Sequence, residues 1–381
     1  MVDFTYQNPT RIEFGKHKEE VIGTALAEHG IKKVLLCYGS ERIKSDGLYA
    51  KVTQSLKAQG IAWIELSGII SNPILGKVYE GIDVAKKEKV DAILAVGGGS
   101  VLDSVKTIAV GALASCDVWD FFIGKAMIEK ALPIFDVMTL AATGSEMNGF
   151  AVITNEKTTQ KYHIFSPYIY PRVSVLNPEL TKSVPNNYLA YSAVDIIAHV
   201  IEGYFTASVQ PHFQSRMVEN IIKTVMETTE VLLKNPEDYN ARAELMWAAT
   251  QALNGSTTAG TNIPGFPNHM IEHSLSALFN IAHGAGLAIV IPAWMQWFHT
   301  QNVAQFERFA KEIFGKQSAK EGIEELKKWF SKIGAPVSLK EASIDANSIP
   351  TIAKDVAQSA IREGVSALYT QKAIEEILQH A

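Results

Sequence analysis

The stretch Ala95-Val96-Gly97-Gly98-Gly99-Ser100-Val101-Leu102-Asp103 gives the clearest indication of the fold. It completes an apolar run over residues 91–96, which predicts a buried strand, and it leads into a helical pattern. Glycines at the start of a helix leave backbone N–H groups open to a ligand, and the positive end of the helix dipole adds to their effect. Such a turn can receive a pyrophosphate, but it lacks the last glycine of the GxGxxG motif and is also compatible with a structural connection.

The chain around this turn alternates apolar runs with amphipathic segments through residues 1–180. Further strands are predicted at residues 34–38, 62–66, 133–140 and 173–176. Because strands that alternate with helices form parallel sheets, this part is predicted to be α/β with a mostly parallel sheet. Residues 4–6 and 11–14, around Asn8-Pro9, predict an additional hairpin, whose exposed edge we expect another subunit to cover.

Long amphipathic helices replace this alternation after Asn177-Pro178. They are predicted at residues 188–205, 212–234, 240–254, 269–278 and 303–314. We therefore predict an amino-terminal α/β domain over residues 1–181 and an all-α carboxy-terminal domain over residues 182–381. The length of 381 residues agrees with two domains, because single cores stop growing beyond about 250–300 residues.

Composition and charge exclude several classes of partner. A net charge of −5 gives no general attraction for nucleic acid or for anionic lipid. No apolar run is long enough for a membrane-spanning helix, and the first residues do not resemble a signal peptide. Cys37 and Cys116 are too few for a disulfide framework, so a cytoplasmic protein is expected.

Glycine and hydroxyl residues also follow two other predicted strands. Gly39 and Ser40 end the strand at residues 34–38, where the adenosine ribose lies in a doubly wound sheet. Thr139, Thr143 and Ser145 lie in or after the strand at residues 133–140. Together with the glycine turn, these residues favour a dinucleotide over a purely structural turn.

Histidines and one aspartate recur at helical spacing in the carboxy-terminal part. Asp195 precedes His199 by one helical turn, and His269 precedes His273 by the same interval. His283 follows shortly before a Gly284-Ala285-Gly286 segment. A single pair of this kind is usually a buried hydrogen bond or a solvated face, but two pairs and another histidine in one domain indicate a metal site. Imidazole and carboxylate ligands with an open position are compatible with Zn²⁺ or Fe²⁺.

These strings of residues resemble the iron-containing alcohol dehydrogenase family, and in particular its butanol dehydrogenase and broad-specificity NADPH-dependent aldehyde reductase branch. The resemblance covers nearly the whole chain. It lies in the opening at residues 4–15, in Gly97 to Ser100 with Asp103, in residues 139–148, in residues 176–181, in residues 246–255 and in the histidine-rich stretch. It implies a dinucleotide-binding α/β domain followed by a helical metal-binding domain, as in dehydroquinate synthase, with a cleft between them. It also implies a homodimer joined through the amino-terminal hairpin.

The resemblance assigns roles to individual positions of this chain. The implied metal ligands are Asp195, His199, His269 and His283. His273 matches a histidine beside the nicotinamide that positions substrate or passes a proton, which makes it the expected catalytic residue. The expected cofactor-binding residues are Gly39, Ser40, Asn72, Gly97, Gly98, Gly99, Ser100, Asp103, Thr139, Thr143, Ser145 and Lys161.

Two departures from the branch bear on the cofactor and on the metal. The segment after the first strand reads Gly39-Ser40-Glu41-Arg42, where similar NADP-preferring proteins carry Gly-Gly-Gly-Ser. Gly39 leaves the NAD-type acidic position open, and Arg42 and Lys44 could meet a 2′-phosphate, whereas Glu41 favours NAD(H). On balance NADP(H) is expected over NAD(H). Ala282 stands where the branch often has an acid before its last metal ligand.

The expected function is the interconversion of small aldehydes and primary alcohols by direct hydride transfer, with NAD(P)H and one divalent metal, Fe²⁺ or Zn²⁺. A polyol dehydrogenase of the glycerol type and a synthase that uses the nucleotide transiently are related alternatives. From other classes, a metal-assisted hydrolase with a structural glycine turn and a nonenzymatic dinucleotide sensor also stay open.

Overall fold

The structure, a computed structural model, describes residues 1–381 and divides the chain into two compact units. One unit is Gln7–Ser183, and the other joins Met1–Tyr6 to Val184–Ala381. The first six residues therefore belong with the helices, and not with the α/β domain in which the sequence analysis placed them. None of the helices combines the length and the apolar character that crossing a bilayer would require.

Strands fill the centre of the unit Gln7–Ser183. They are β1 (Arg11–Phe14), β2 (Lys33–Tyr38), β3 (Ala62–Leu66), β4 (Ala92–Gly97), β5 (Ile134–Met138), β6 (Phe150–Asn155), β7 (Gln160–Phe165) and β8 (Val173–Leu176). Six of them form a sheet in the order β1-β8-β5-β4-β2-β3, and every neighbouring pair is parallel. β6 and β7 form a separate antiparallel pair. The predicted parallel α/β sheet is confirmed.

Six helices accompany these strands. They are α1 (Ile22–Glu28), α2 (Arg42–Ser45), α3 (Leu48–Ala58), α4 (Leu75–Glu88), α5 (Gly99–Gly111) and α6 (Trp119–Phe122). β4 is buried along its whole length, and α5 follows it directly after Gly98. The predicted strand, glycine turn and helix are thus present in that order, with the amino end of α5 at the carboxyl end of a central strand.

The amino-terminal hairpin predicted from residues 4–6 and 11–14 is wrong. β1 pairs in parallel with β8 at the edge of the main sheet, and residues 4–6 form no strand. The three-residue segment is too short to hold a ladder, whereas Val2 donates its backbone N–H to the Gly260 carbonyl at 2.9 Å. The chain end is therefore bound by the helical unit, and β1 finds its partner in the sheet.

The second unit is built from nine helices. They are α7 (Asn186–Thr206), α8 (His212–Lys234), α9 (Tyr239–Ala252), α10 (Pro267–Phe279), α11 (His283–Phe298), α12 (Val303–Phe314), α13 (Ala319–Lys332), α14 (Ile349–Arg362) and α15 (Gln371–Leu378). α7 and α11 are apolar and buried over most of their circumference, as expected for helices at the centre of a domain. The predicted all-helical part is confirmed.

Close packing of α7, α10 and α11 decides where their polar side chains lie. Proline at the first turn of α10 begins that helix, and Asn280, with a left-handed φ of 51°, ends it. Three residues later α11 begins at His283 and turns back along its neighbours. Gly284 packs so closely on α7 that a Cβ there would lie 2.0 Å from the Tyr191 carbonyl oxygen. His283 is thereby brought against the interior of the unit.

Candidate metal centre and dinucleotide site

One carboxylate oxygen lies opposite imidazole nitrogens from three different helical positions. Asp195 Oδ1 is 3.5 Å from Nε2 of His199, 3.7 Å from Nε2 of His269 and 3.5 Å from Nε2 of His283. Asp195 and His199 lie one turn apart on α7, while α10 and α11 supply the other two. The structure therefore brings together the four residues expected as metal ligands.

These four side chains fit a divalent ion. Tetrahedral ligands at about 2.1 Å from a metal are separated from one another by about 3.4 Å, which is close to the distances between Asp195 Oδ1 and the imidazoles. Asp195 Oδ1 and His269 Nε2 are buried and have no hydrogen-bond partner. Since an unpartnered polar atom in a protein interior costs free energy, a shared cation would satisfy both atoms.

Burial and neighbouring charges set the protonation of these four side chains. Burial alone raises the pKa of Asp195, but the facing imidazoles outweigh it and hold this pKa below its usual range. Burial lowers the pKa of His199 to about 3, against the opposing effect of Asp195. Burial also lowers the pKa of His269, but Asp195 and Glu202 outweigh it and raise this pKa to about 9. Because a metal binds the ionised carboxylate and the neutral imidazole, its binding would release a proton from His269.

Two fully buried glutamates, neither of which was predicted from the sequence, orient His269 and His283. Glu202 Oε1 lies 3.0 Å from Nδ1 of His269 and accepts the backbone N–H of the same residue at 3.0 Å. Glu272 is bonded in the same way to Nδ1 of His283. A proton held on Nδ1 leaves Nε2 as an electron-pair donor, so these carboxylates set the tautomer of each ring. Their helical spacing from Asp195 and His269 was the available signal.

Glu272 also takes the place of an acid at position 282, where this chain has alanine. Ala282 precedes α11 and makes no side-chain cap, so it offers no acid to orient His283. The carboxylate that orients His283 comes instead from α10. Although Ala282 replaces the acid that the branch often has, a carboxylate still orients His283.

His273 lies beside the four converging residues. Its side chain is buried, and its ring centroid is 5.6 Å from that of His283 and 6.4 Å from that of His269. A group of Glu272, His273 and His283 has ligand atoms within 4.8 Å of one another. His273 is thus adjacent to the four candidate metal ligands, and the imidazoles that face Asp195 Oδ1 are those of the other three histidines.

The expected dinucleotide residues gather at the carboxyl ends of central strands in the other unit. β2 and β4 are neighbours in the sheet. From β2 the chain goes on to β3 at one edge, whereas from β4 it goes on to β5 on the opposite side, so the direction of winding changes between β2 and β4. Gly39 follows β2, and Gly97 ends β4 before Gly98 and Gly99. Ligands of open parallel sheets bind outside the strand ends at such a switch point.

The hydroxyl residues after β5 contact this glycine turn. Thr139 donates its N–H to the Gly97 carbonyl at 2.9 Å. A Cβ at Gly99 would lie 2.5 Å from Thr143 Cγ2, so only glycine fits there. Thr143 Oγ1 in turn accepts the N–H of Ser145 at 3.2 Å. The turn and the loop form one surface next to Ser100 and the amino end of α5.

Asn72 and Lys161 are also brought together, although they lie far apart in the sequence. Lys161 Nζ donates to Asn72 Oδ1 at 3.1 Å, and Asn72 has a left-handed φ of 52°. Burial raises the pKa of Asp103, and the positive charge of Lys161 is among the causes that oppose this rise. Lys161 therefore contacts Asn72 directly and also acts through its charge on Asp103 of α5.

The comparisons with known proteins agree over both units. The family model "Iron-containing alcohol dehydrogenase" matches residues 9–178, and the model for the carboxy-terminal part of the Fe-containing alcohol dehydrogenase family matches residues 189–381. The chain belongs to the iron-containing alcohol dehydrogenase family. It is therefore an oxidoreductase, and membership implies NAD(P) and a divalent metal. The resemblance inferred from the sequence is confirmed.

Individual relatives are similar over almost their full length. A probable NADH-dependent butanol dehydrogenase 1 of Bacillus subtilis (strain 168) is 40% identical over 93% of both chains. An NADPH-dependent aldehyde reductase of Escherichia coli (strain K12) is 34% identical over 95% of both chains. The crystal structure of an NADH-dependent butanol dehydrogenase A from Thermotoga maritima matches with a TM-score of 0.97 and 48% identity, covering 100% of this chain and 99% of that one.

Replacing Glu272 by glutamine should weaken metal binding. The amide removes the negative charge that fixes the Nδ1 proton of His283, so we expect the metal dissociation constant to rise about 10- to 100-fold. Competition with a chromophoric chelator measures this constant directly. The matched control is Glu324→Gln, which removes an exposed glutamate of α13. Equal metal affinity in the Glu272→Gln protein and the wild type would contradict the orienting role.

Proposed function

We propose that this protein interconverts small aldehydes and primary alcohols with NAD(P)H, using one divalent metal held by Asp195, His199, His269 and His283. The observation that carries the proposal is the single carboxylate oxygen that faces three imidazole nitrogens at 3.5–3.7 Å. The names of the relatives, butanol dehydrogenase and aldehyde reductase, support this substrate class.

The chemistry follows from the donor set and from the family. When bound, the dinucleotide supplies the hydride, and the divalent ion, Fe²⁺ or Zn²⁺, polarises the carbonyl of the aldehyde. The four side chains would offer the ion one carboxylate oxygen and three imidazole nitrogens, and would leave a position open for substrate. A substrate oxygen held at that open position would have its developing negative charge stabilised by the ion.

His273 is the proposed proton-transfer residue. Its imidazole is buried beside His283 and outside the set that faces Asp195. An imidazole ring nitrogen can give a proton to an alkoxide or accept one from an alcohol near neutral pH. Its place next to a metal ligand supports this role over a purely packing one.

The proposed dinucleotide site lies at the winding switch of the parallel sheet. The residues proposed to bind the dinucleotide are Gly39, Ser40, Asn72, Gly97, Gly98, Gly99, Ser100, Asp103, Thr139, Thr143, Ser145 and Lys161. The amino end of α5 offers backbone N–H groups to a pyrophosphate there, and Gly97 to Gly99 allow its close approach. The homodimer and the cytoplasmic location stay predictions.

We further propose NADP(H) over NAD(H). No acidic residue occupies the position of Gly39, so the usual partner of an NAD ribose is missing at the end of β2. Arg42 and Lys44 follow in α2, where Lys44 makes half-exposed ion pairs at 3.0 Å with Glu41 and Glu65. Exposed pairs of this kind are worth only about 0–1 kcal/mol, so a 2′-phosphate can compete with the carboxylates for the ammonium.

The cofactor preference can be measured by comparing kcat/KM for NADPH and NADH. The double variant with Arg42→Gln and Lys44→Gln should lose roughly tenfold in kcat/KM for NADPH and nothing for NADH, since only NADPH carries the additional phosphate. Lys57→Gln, at an exposed position of α3, is the control. Preference of the wild type for NADH, or an equal loss for both dinucleotides, would count against NADP(H).

The proposed function itself is tested on metal-stripped protein. Adding Fe²⁺ or Zn²⁺ should restore oxidation of NADPH by butanal, and His269→Ala should lower that rate by more than about 100-fold, because a ligand is lost. His299→Ala, which removes a histidine bonded only to the neighbouring Gln296 carbonyl, should retain activity. Full turnover in His269→Ala, or hydrolysis without nicotinamide oxidation, would overturn the proposal.

A further inference from the structure

Lys106 is a fully buried lysine on α5, one turn after Asp103. Its Nζ lies within hydrogen-bonding distance of five oxygen atoms. They are the carbonyl (2.7 Å) and Oγ (2.8 Å) of Ser145, the carbonyl (2.8 Å) and Oδ1 (3.2 Å) of Asn148, and the carbonyl of Phe150 (2.8 Å). An ammonium has three N–H donors, so it is fully satisfied by this one segment.

The charge of Lys106 is costly in this position. Burial lowers the pKa of Lys106 to about 8, against the opposing effects of Asp103, Asp136 and Glu146. At neutral pH the ammonium is therefore still present. An apolar side chain of similar volume would fill the space without the desolvation cost. What such a side chain could not do is bind the five oxygens, three of which belong to the backbone of the loop.

Asp103 completes the attachment of the same loop to α5. Its carboxylate accepts the Oγ–H of Ser145 at 2.8 Å and the backbone N–H of Val152 at 3.1 Å. Lys106 and Asp103 together therefore hold residues 145, 148, 150 and 152. Apart from a short 3₁₀ turn at Ser145–Met147, this segment has no regular structure before β6 begins. The two charged side chains therefore attach residues 145–148, which no strand pairs, and the first residues of β6 to α5.

We propose that Lys106 is a positioning residue for the dinucleotide. The inference rests on the proposed function, which places Thr143 and Ser145 in the cofactor site. α5 presents its amino end to the pyrophosphate and, through Lys106, fixes the loop whose hydroxyls contact the same turn. Loss of the ammonium frees the loop, so the dinucleotide must then order it on binding, which weakens its affinity.

The test is Lys106→Met in the metal-loaded, full-length protein at pH 7. Fluorescence titration with NADPH should show a dissociation constant about tenfold higher than that of the wild type, equivalent to about 1.4 kcal/mol. The KM for NADPH should rise with it, whereas the affinity of the helical unit for the metal should not change. Lys87→Met, at an exposed position of α4, is the matched control.

An unchanged NADPH dissociation constant together with a lower melting temperature would overturn the proposal, because Lys106 would then act on stability alone. If Lys106→Met does not fold, Asn148→Ala removes one of the five oxygens and should raise the same constant by a smaller factor; no rise overturns the proposal equally. A wild-type protein that binds neither NADPH nor NADH would instead overturn the proposed function, and the positioning role with it.

Discussion

The contact between Asp195 Oδ1 and three imidazole nitrogens is the constraint on which the site depends. Electron-pair donors that face one another in a protein interior are unfavourable, and Asp195 Oδ1 and His269 Nε2 have no hydrogen-bond partner there. A cation bound between these side chains would remove that cost. The proposed chemistry needs that cation at the same place. If the proposed chemistry is right, metal binding and catalysis both depend on the packing of α7, α10 and α11.

The surroundings of the centre are built to keep those side chains in place. Glu202 and Glu272 fix the rings of His269 and His283 from behind, and Gly284 permits the close approach that brings α11 to α7. The α/β unit uses the same principle with different chemistry. There, buried charges on α5 hold an irregular loop, and the glycine turn leaves room for a ligand. In both units, helices carry the candidate binding groups, and buried polar side chains hold those groups in place.

Much of the fold and of the candidate site could be predicted from the sequence, for physical reasons. Apolar runs mark the buried parallel strands, and the one-turn spacing between Asp195 and His199 reveals a shared helical face. The hairpin prediction failed because residues 1–6 belong to the helical unit, where Val2 donates its backbone N–H to the Gly260 carbonyl, and form no strand. Glu202, Glu272 and Lys106 were missed because a buried, paired charge has the same letter in the sequence as a solvated one. The antiparallel pair β6–β7 was also missed, although residues 150–155 alternate in burial.

The most direct measurement is X-ray absorption at the metal edge of protein loaded with one equivalent of Fe²⁺ or Zn²⁺. The account predicts a first shell at about 2.0–2.2 Å that contains three imidazole nitrogens and a carboxylate oxygen, with the outer-ring scattering typical of histidine. A shell made only of oxygen atoms, or one containing sulfur, would contradict it, since neither can arise from Asp195, His199, His269 and His283 around one ion.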